Sequence, residues 1–186
     1  MNGKIGIFDS GVGGLTVARA ILNLLPNESL LYFADTKHIP YGEHSPREVE
    51  SFAMRITSFL VQMGVKLLAI ACNYSSALIY EKAKELYPDI PIVGVLQEGA
   101  KLSAHSPYRK LGILATKGTV RTRIYPKEVK KINPLKEVVQ ASCPPLVSLI
   151  ESLAPEESIR PVLKNCLKRL KSKLRHSFSA ALITPW

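Results

Sequence analysis

The segment Val65-Lys66-Leu67-Leu68-Ala69-Ile70-Ala71 is apolar throughout except for Lys66, which is typical of a β-strand buried on both faces. Strands of this kind belong to parallel sheets whose two faces are covered by helices. Gly64 comes directly before the segment, where it can end a helix as a left-handed cap. We therefore expect strands and helices to alternate along the chain around this segment.

The rest of the chain fits this alternation, which predicts an α/β fold with a parallel sheet. Short apolar runs predict further strands at Lys4–Phe8, Leu30–Ala34, Pro91–Leu96, Leu111–Ala115, Glu137–Gln140 and Ala180–Ile183. Apolar residues at helical spacing predict helices at Leu15–Leu25, 45–63, Ser75–Tyr87, Val120–Lys131, Pro145–Leu153 and Ser158–His176. The second helix begins with Ser45-Pro46-Arg47-Glu48, which has the form of a capping box.

Composition excludes several classes of protein. The chain has 186 residues, of which 46% are hydrophobic and 22% charged, as in a globular protein of one domain or two small ones. No apolar run reaches the roughly 18 residues of a membrane span. The first residues meet an acid, Asp9, too early for a signal peptide. We therefore expect a cytoplasmic protein.

The positive charge is concentrated in the second half of the chain. Residues 1–100 carry eight Lys and Arg against ten Asp and Glu, whereas residues 101–186 carry seventeen against five. We interpret the basic segment Ser158–His176 as the solvated face of an amphipathic helix. Nucleic-acid binding is the rival interpretation, but no aromatic pattern accompanies the charge. We expect no nucleic acid and no membrane as partner, and a homodimer stays open.

Cysteines and histidines give no sign of a metal site or a disulfide framework. The three cysteines, Cys72, Cys143 and Cys166, are odd in number and far apart. We therefore expect no disulfide, with Cys143 and Cys166 as buried structural residues. The histidines lack the spacing of metal ligands and are predicted to lie at the surface: His38, His44, His105 and His176.

The ends of two predicted strands carry residues that could take part in binding or catalysis. Asp9 ends the first strand and is followed by Ser10-Gly11-Val12-Gly13-Gly14, where backbone N–H groups could approach an anion. A plain tight turn fits this loop equally well. Cys72 follows the central strand and precedes a helix, whose dipole should lower the thiol pKa and favour the thiolate. Cys72 could also be only a small buried apolar residue.

Two further loops offer donors for a carboxylate. Pro40-Tyr41-Gly42 follows the second strand, and Thr116-Lys117-Gly118-Thr119 follows the strand that ends at Ala115. Both supply hydroxyl and backbone N–H groups at the carboxyl ends of strands, where ligands of parallel sheets bind. Turns without a ligand remain the alternative for both.

Five segments in order make a more specific pattern: Ile7-Phe8-Asp9-Ser10-Gly11-Val12-Gly13-Gly14-Leu15-Thr16-Val17; Tyr32-Phe33-Ala34-Asp35-Thr36 with Ile39-Pro40-Tyr41-Gly42; Ile70-Ala71-Cys72-Asn73 with Ser76-Ala77; Pro91-Ile92-Val93-Gly94-Val95; and Ile113-Leu114-Ala115-Thr116-Lys117-Gly118-Thr119. Together they resemble the signatures of glutamate racemase, within the aspartate/glutamate racemase family. The resemblance covers the chain in order, strongly to residue 120 and loosely afterwards.

The resemblance implies a cofactor-independent isomerase that interconverts L- and D-glutamate for peptidoglycan synthesis. Such enzymes use two cysteines, one on each face of the α-carbon, as base and acid. Carried over by motif, Cys72 is one base and Asp9 assists it, with no metal involved. The residues that the resemblance assigns to the substrate are Asp9, Ser10, Pro40, Tyr41, Gly42, Asn73, Tyr74, Thr116 and Thr119.

The chain departs from the family pattern at two places. Tyr74 stands where the family has threonine, so its phenol should crowd the substrate, point elsewhere or replace the lost hydroxyl. Family members continue to a late strand followed by Gly-Cys-Thr-His, whereas here Ala181-Leu182-Ile183 is followed by Thr184-Pro185-Trp186. We therefore expect a C-terminally truncated racemase that lacks the second cysteine. The alternative function is an inactive remnant or a module that binds a dicarboxylic amino acid.

The resemblance also implies the domain organisation. We expect two parallel-sheet α/β lobes with the active site in the cleft between them. Residues 1–96 form the first lobe, without its C-terminal elements. Residues 97–186 form the second lobe and the start of the strand that returns to the first.

Overall fold

The computed structural model of the chain describes residues 3–174 and 180–183. The chain divides into two compact units, with the boundary between Val95 and Leu96. Each unit is built on a sheet whose strand pairs are all parallel. The predicted α/β fold is therefore confirmed. The assignment of 1–96 and 97–186 as separate domains, and of a cleft between them, stays a prediction.

The first unit alternates strands and helices as the sequence predicts. Its elements are β1 (Lys4–Asp9), α1 (Leu15–Leu24), β2 (Leu30–Ala34), α2 (Pro46–Gln62), β3 (Val65–Ile70), α3 (Asn73–Leu86) and β4 (Ile92–Gly94). Two short 3-10 turns, Thr36–His38 and Tyr41–Glu43, lie in the loop between β2 and α2. The boundaries of α1, β2 and β3 lie within one residue of the predicted ones.

The strand order β2-β1-β3-β4 places β1 and β3 side by side at the centre of the first sheet. Ala18 of α1 packs on one face, against Ile5 and Ile7. Residues of α2 and α3, such as Leu60 and Ile79, pack in a second cluster. The chain therefore crosses to the opposite face between its first and second crossover, as in doubly wound sheets. The position where it does so, between β1 and β3, is where such sheets bind ligands.

The start of α2 confirms the predicted capping box. The Ser45 hydroxyl accepts a hydrogen bond from the Glu48 backbone N–H at 3.3 Å, and the Glu48 carboxylate accepts one from the Ser45 backbone N–H at 2.9 Å. Pro46 occupies the first turn, where its missing N–H costs nothing. At the other end Gly64 has a φ of 73°, as predicted for a left-handed cap. These caps fix both ends of the helix that covers β1 and β3.

The second unit has the three-stranded order β6-β5-β7. Its elements are α4 (Val95–His105), β5 (Lys110–Ala115), α5 (Lys117–Thr122), α6 (Ile124–Ile132), β6 (Glu137–Ser142), α7 (Pro144–Glu151), α8 (Glu156–Lys173) and β7 (Ala180–Ile183). Gly112 lets α8 lie close to β5, because a Cβ there would stand 2.9 Å from the Leu170 side chain. The predicted strand at Ala180–Ile183 is present, but it pairs with β5 of the second sheet.

One strand prediction and one helix prediction are wrong in the middle of the chain. The strand predicted over Pro91–Leu96 is limited to Ile92–Gly94, and the chain turns at once into the unpredicted helix α4. The helix predicted over Val120–Lys131 is interrupted at Arg123, whose φ of 53° lies in the left-handed region. The Thr122 hydroxyl accepts from the Ile124 backbone N–H at 3.3 Å and so supports this break.

The prediction of no disulfide is wrong for Cys143 and Cys166, which are bonded to each other. Cys143 directly precedes α7, and Cys166 lies on the buried face of α8. The packing of the two helices brings their Cα atoms to 5.9 Å although they are 23 residues apart. Both side chains are buried, as predicted. Cys72 is the free thiol.

Two other kinds of feature are absent from the described part of the chain. None of its helices combines the length and apolar character that a membrane crossing needs. Nor do residues 3–174 and 180–183 contain a group of three or more Cys, His, Asp or Glu side chains placed to hold a metal ion.

Candidate active site

Polar side chains lie at the carboxyl ends of three neighbouring strands of the first sheet. Asp9 ends β1, Asp35 follows β2, and Cys72 follows β3. The sheet continues through these residues, because the Asp35 backbone N–H donates to the Asp9 carbonyl at 3.0 Å. Asp9 and Cys72 thus stand at the crevice between β1 and β3, where the strand order reverses.

The glycine-rich loop after β1 wraps around the carboxylate of Asp9. Backbone N–H groups of Gly14 and Gly11 donate to Asp9 Oδ2 at 2.9 and 3.2 Å. Gly14 allows this approach, because a Cβ there would lie 2.5 Å from the Asp9 Cβ. Tyr32 holds the loop by donating to the Gly11 carbonyl at 2.9 Å. The loop N–H groups therefore bind a carboxylate of the chain itself.

Asp9 is a buried carboxyl group, with 6% of its surface exposed. Burial raises the pKa of Asp9 above its ordinary value, because the charged form loses its hydration. The backbone hydrogen bonds that favour the carboxylate oppose this shift without cancelling it. Asp9 is thus held in one orientation and is easier to protonate than an exposed aspartate, which suits a group that passes a proton.

Cys72 caps the N-terminus of α3 with its side chain. Its Sγ accepts a hydrogen bond from the Ser75 backbone N–H at 3.5 Å. The expectation of a lowered thiol pKa is nevertheless wrong. Burial raises the pKa of the Cys72 thiol, and the negative charge of Asp9 raises it further, whereas hydrogen bonds from Ser75 and Ser10 lower it less. The thiol is therefore protonated at neutral pH in the unliganded chain.

This arrangement predicts how Cys72 reacts with iodoacetamide. Because the thiolate is the nucleophile, the alkylation rate should still be rising with pH at the usual thiol pKa of about 8.5, where an unperturbed thiol begins to level off. Asp9→Asn removes the nearby negative charge, so it should lower the Cys72 pKa and speed alkylation at a fixed pH. Asp89→Asn, at an exposed position of the same unit, is the control. Equal or slower alkylation of Asp9→Asn would show that Asp9 does not act on the thiol.

Tyr41 packs against Cys72 and is tied to Asp35. The two residues share a buried cluster with Val49 and Tyr74. The Tyr41 hydroxyl donates to Asp35 Oδ2 at 2.5 Å, and burial together with Asp35 raises the Tyr41 pKa well above its ordinary value. Tyr41 is therefore a neutral hydrogen-bonding group that stands next to the thiol and does not exchange protons at physiological pH.

The rest of the Pro40-Tyr41-Gly42 loop lies between β2 and α2. Pro40 follows a cis peptide bond, and the loop closes with the Glu43 backbone N–H donating to the Pro40 carbonyl at 3.1 Å. Gly42 sits in the 3-10 turn that begins at Tyr41. The loop thus turns the Tyr41 side chain inward towards Cys72, while Pro40 itself remains exposed.

The first turn of α3 brings the other predicted residues next to Cys72. Asn73 and Tyr74 are both buried there. Tyr74 packs in the same cluster as Tyr41 and Cys72. Its ring is therefore part of the wall around the thiol. Whether that ring crowds the substrate stays a prediction.

Thr116 and Thr119 belong to the second unit, at the end of β5. Thr116 caps α5, since its Oγ1 accepts from the Thr119 backbone N–H at 3.2 Å. The two hydroxyl groups are 3.0 Å apart and hydrogen-bonded to each other. They form a fixed pair of hydroxyls at the carboxyl end of a strand. Their action together with Asp9 and Cys72 on one substrate stays a prediction.

The roles of Asp35 and His38 were not predicted from the sequence. His38 was expected at the surface, but its ring stacks on Phe52 with centroids 4.1 Å apart, and its Nδ1 lies 2.8 Å from Asp35. Asp35 therefore joins His38 to Tyr41. The available signal was the position of Asp35, which follows β2 in the same way that Cys72 follows β3.

Comparison with known proteins gives one consistent result. No family model matches the chain. A glutamate racemase of Geobacter metallireducens is 46% identical over 148 residues, which cover 79% of this chain and 54% of that protein. The curated relatives reported at similar identity are covered to between 52% and 65% of their length.

Solved structures agree with the sequence relatives. The glutamate racemase of Aquifex pyrophilus matches with a TM-score of 0.81 and 30% identity, covering 97% of this chain and 70% of that one. The Francisella tularensis enzyme, solved in complex with D-glutamate, matches with a TM-score of 0.83 and 32% identity, covering 95% and 65%. The similarity therefore extends over both units described above.

Proposed function

Because this chain belongs to the glutamate racemase family, we propose that it acts on glutamate, with Cys72 as the proton-transferring group on one face of the α-carbon. The observation that supports this most strongly is the pair of Asp9 and Cys72. The two groups stand at the crevice of the first sheet, both buried and both with raised pKa values. Perturbed titratable groups at such a position are typical of an active site.

The substrate itself would supply a positive charge that lowers the pKa of the thiol. The α-ammonium group of glutamate carries a positive charge, which lowers the pKa of any buried acid beside it. Bound between Asp9 and Cys72, it would offset the desolvation of both groups. Cys72 could then form the thiolate, take the α-proton and return it to the same face. Asp9 would hold the ammonium group and accept the thiol proton.

The α-proton next to a carboxylate is only weakly acidic, so the site must stabilise negative charge as the proton leaves. Ser10 and Tyr41 lie next to Cys72, Asn73 follows it in the chain, and Pro40 and Gly42 flank Tyr41. We assign them, with Tyr74, to the α-carboxylate and to the exclusion of water. Thr116 and Thr119 would bind the side-chain carboxylate.

Inversion of the α-carbon also needs a proton donor on the opposite face. The 186 residues contain three cysteines, and two of them are bonded to each other. The polypeptide with this sequence thus has one free thiol for the reaction. We therefore expect it to exchange the α-hydrogen on one face, and racemisation by the whole protein to depend on a second acid.

The wider role follows from the proposed product. D-Glutamate is a building block of peptidoglycan, and we place the reaction in the cytoplasm, where its precursors are made. Glutamate is then the small-molecule partner, without a cofactor. A homodimer is compatible with this role.

Protection of Cys72 from alkylation tests the proposed binding site. Glutamate should slow the reaction of Cys72 with iodoacetamide, because the bound amino acid covers the thiol. N-Acetylglutamate is the matched control, since it keeps both carboxylates but lacks the ammonium group that Asp9 would bind. The rate is read by mass spectrometry of the Cys72 peptide. Alkylation that is insensitive to saturating glutamate would contradict the proposal.

A further inference from the structure

The first unit contains a second cleft, which does not include the residues assigned to glutamate. It has a volume of about 600 Å³ and lies between the carboxyl end of β2 and the helix α2. Phe52 stands in its wall, and we call it the Phe52 cleft. Its volume falls within the range of about 300–1,000 Å³ that is usual for small-molecule sites.

The interior of the Phe52 cleft is aromatic. Phe33 and Phe59 line it, with ring centroids 5.7 Å apart in an edge-to-face arrangement. Phe52 contributes a third ring. Phe59 is 44% exposed, which leaves aromatic surface open to the cleft. Such walls favour a flat ring, which stacks on or abuts aromatic side chains in defined geometries.

The rim of the Phe52 cleft is positively charged. Lys37 and Arg55 both line it and are exposed, and no salt bridge among the described residues involves either of them. Arg55 lies over Phe52, 5.6 Å from the ring centroid. The one carboxylate of the lining, Asp35, is buried and bonded to Tyr41 and His38. The two cations are therefore available to an anion.

We propose that the Phe52 cleft binds a small molecule that combines a flat aromatic ring with a phosphate or carboxylate group. The ring packs among the three phenylalanines. The anionic group pairs with Arg55, whose planar guanidinium suits both anions, and with Lys37. Binding at this cleft does not require that the chain acts on glutamate.

A ligand in the Phe52 cleft should change the reactivity of Cys72, because two contacts connect the cleft to the thiol. Phe52 packs against the buried cluster that holds Tyr41 and Cys72, with the Phe52 and Tyr41 centroids 5.9 Å apart. His38, which also lines the cleft, stacks on Phe52 and holds Asp35, the acceptor of the Tyr41 hydroxyl. A ligand that moves Phe52 or His38 therefore shifts Tyr41 against the thiol.

Calorimetry with the full chain tests the binding step. Naphthyl phosphate and naphthylacetate carry the ring with each of the two anions, naphthol carries the ring alone, and inorganic phosphate carries the charge alone. We expect at least one naphthyl anion to bind about tenfold or more tightly than either single-feature probe. Binding of inorganic phosphate alone, or equal binding of naphthol, would overturn the proposal.

Variants locate the site and test the coupling. Arg55→Gln should weaken the bound naphthyl anion about tenfold or more, whereas Arg47→Gln, at an exposed position of the same helix, should leave it unchanged. Equal affinity in the two variants would overturn the assignment to this cleft. At saturation the same ligand should change the alkylation rate of Cys72, and an unchanged rate would overturn the link to the thiol.

Discussion

Replacing Cys72 by alanine should abolish exchange of the α-hydrogen of glutamate with heavy water. Cys72 is the free thiol of the chain, and Tyr41, the hydroxyl group that packs beside it, has a pKa raised well above its ordinary value. The variant would keep Asp9, which is assigned to the ammonium group, but would lack the thiolate that takes the α-proton and returns it. Loss of such a base lowers a rate by about 100- to 10,000-fold. Proton NMR of glutamate follows the loss of the α-hydrogen signal.

The control for this experiment uses the other cysteines. The double variant Cys143→Ala, Cys166→Ala removes the disulfide of the second unit and should keep the exchange activity of Cys72. Circular dichroism shows whether each variant keeps its fold. Exchange that persists in folded Cys72→Ala would mean that another residue removes the proton, and the assignment of Cys72 would be wrong.

The Gly14→Ala variant should lose most of the same exchange activity, although Gly14 is assigned no contact with the substrate. An added Cβ would stand 2.5 Å from the Asp9 Cβ and 2.8 Å from the Tyr32 hydroxyl oxygen. Asp9 would have to leave the N–H groups of Gly11 and Gly14 that hold it. A displacement of this kind at a catalytic group costs about 100-fold in rate.

Gly6→Ala is the matched control for crowding within the first sheet. Its added Cβ would meet the Val65 side chain at 2.9 Å, so it strains the same sheet without touching Asp9. Both variants should lower the free energy of unfolding, measured with urea, by about 1–3 kcal/mol. Gly14→Ala alone should lose exchange in the folded state. Equal exchange in the two folded variants would contradict a role for the Asp9 loop.

The positions of the central residues could be predicted from the sequence. The apolar run Val65–Ala71 indicates a central parallel strand, and parallel strands deliver their carboxyl ends to one edge. Asp9 and Cys72 follow two such strands, so their proximity follows from adjacent pairing of β1 and β3. The capping box of α2 could also be predicted, because it depends on residues within one helical turn.

What could not be predicted depends on burial and long-range packing. The dipole of α3 alone would lower the Cys72 pKa, but desolvation and Asp9 reverse the direction. The disulfide needs α7 and α8 to pack together, which the 23-residue separation does not reveal. The stacking of His38 on Phe52 likewise joins a loop to a helix 14 positions further along the chain. None of these three features depends only on residues that are close together in the sequence.

The most direct test of Cys72 as a base on one face is exchange of each glutamate enantiomer by the unmodified 186-residue chain in heavy water. Proton NMR follows the α-hydrogen, and chiral chromatography follows inversion. We predict that one enantiomer loses its α-hydrogen signal while its opposite does not accumulate. Accumulation of the opposite enantiomer, abolished by Cys72→Ala, would contradict the account by showing a second acid. Protection of Cys72 by glutamate without exchange of either enantiomer would contradict it in favour of a module that only binds the amino acid.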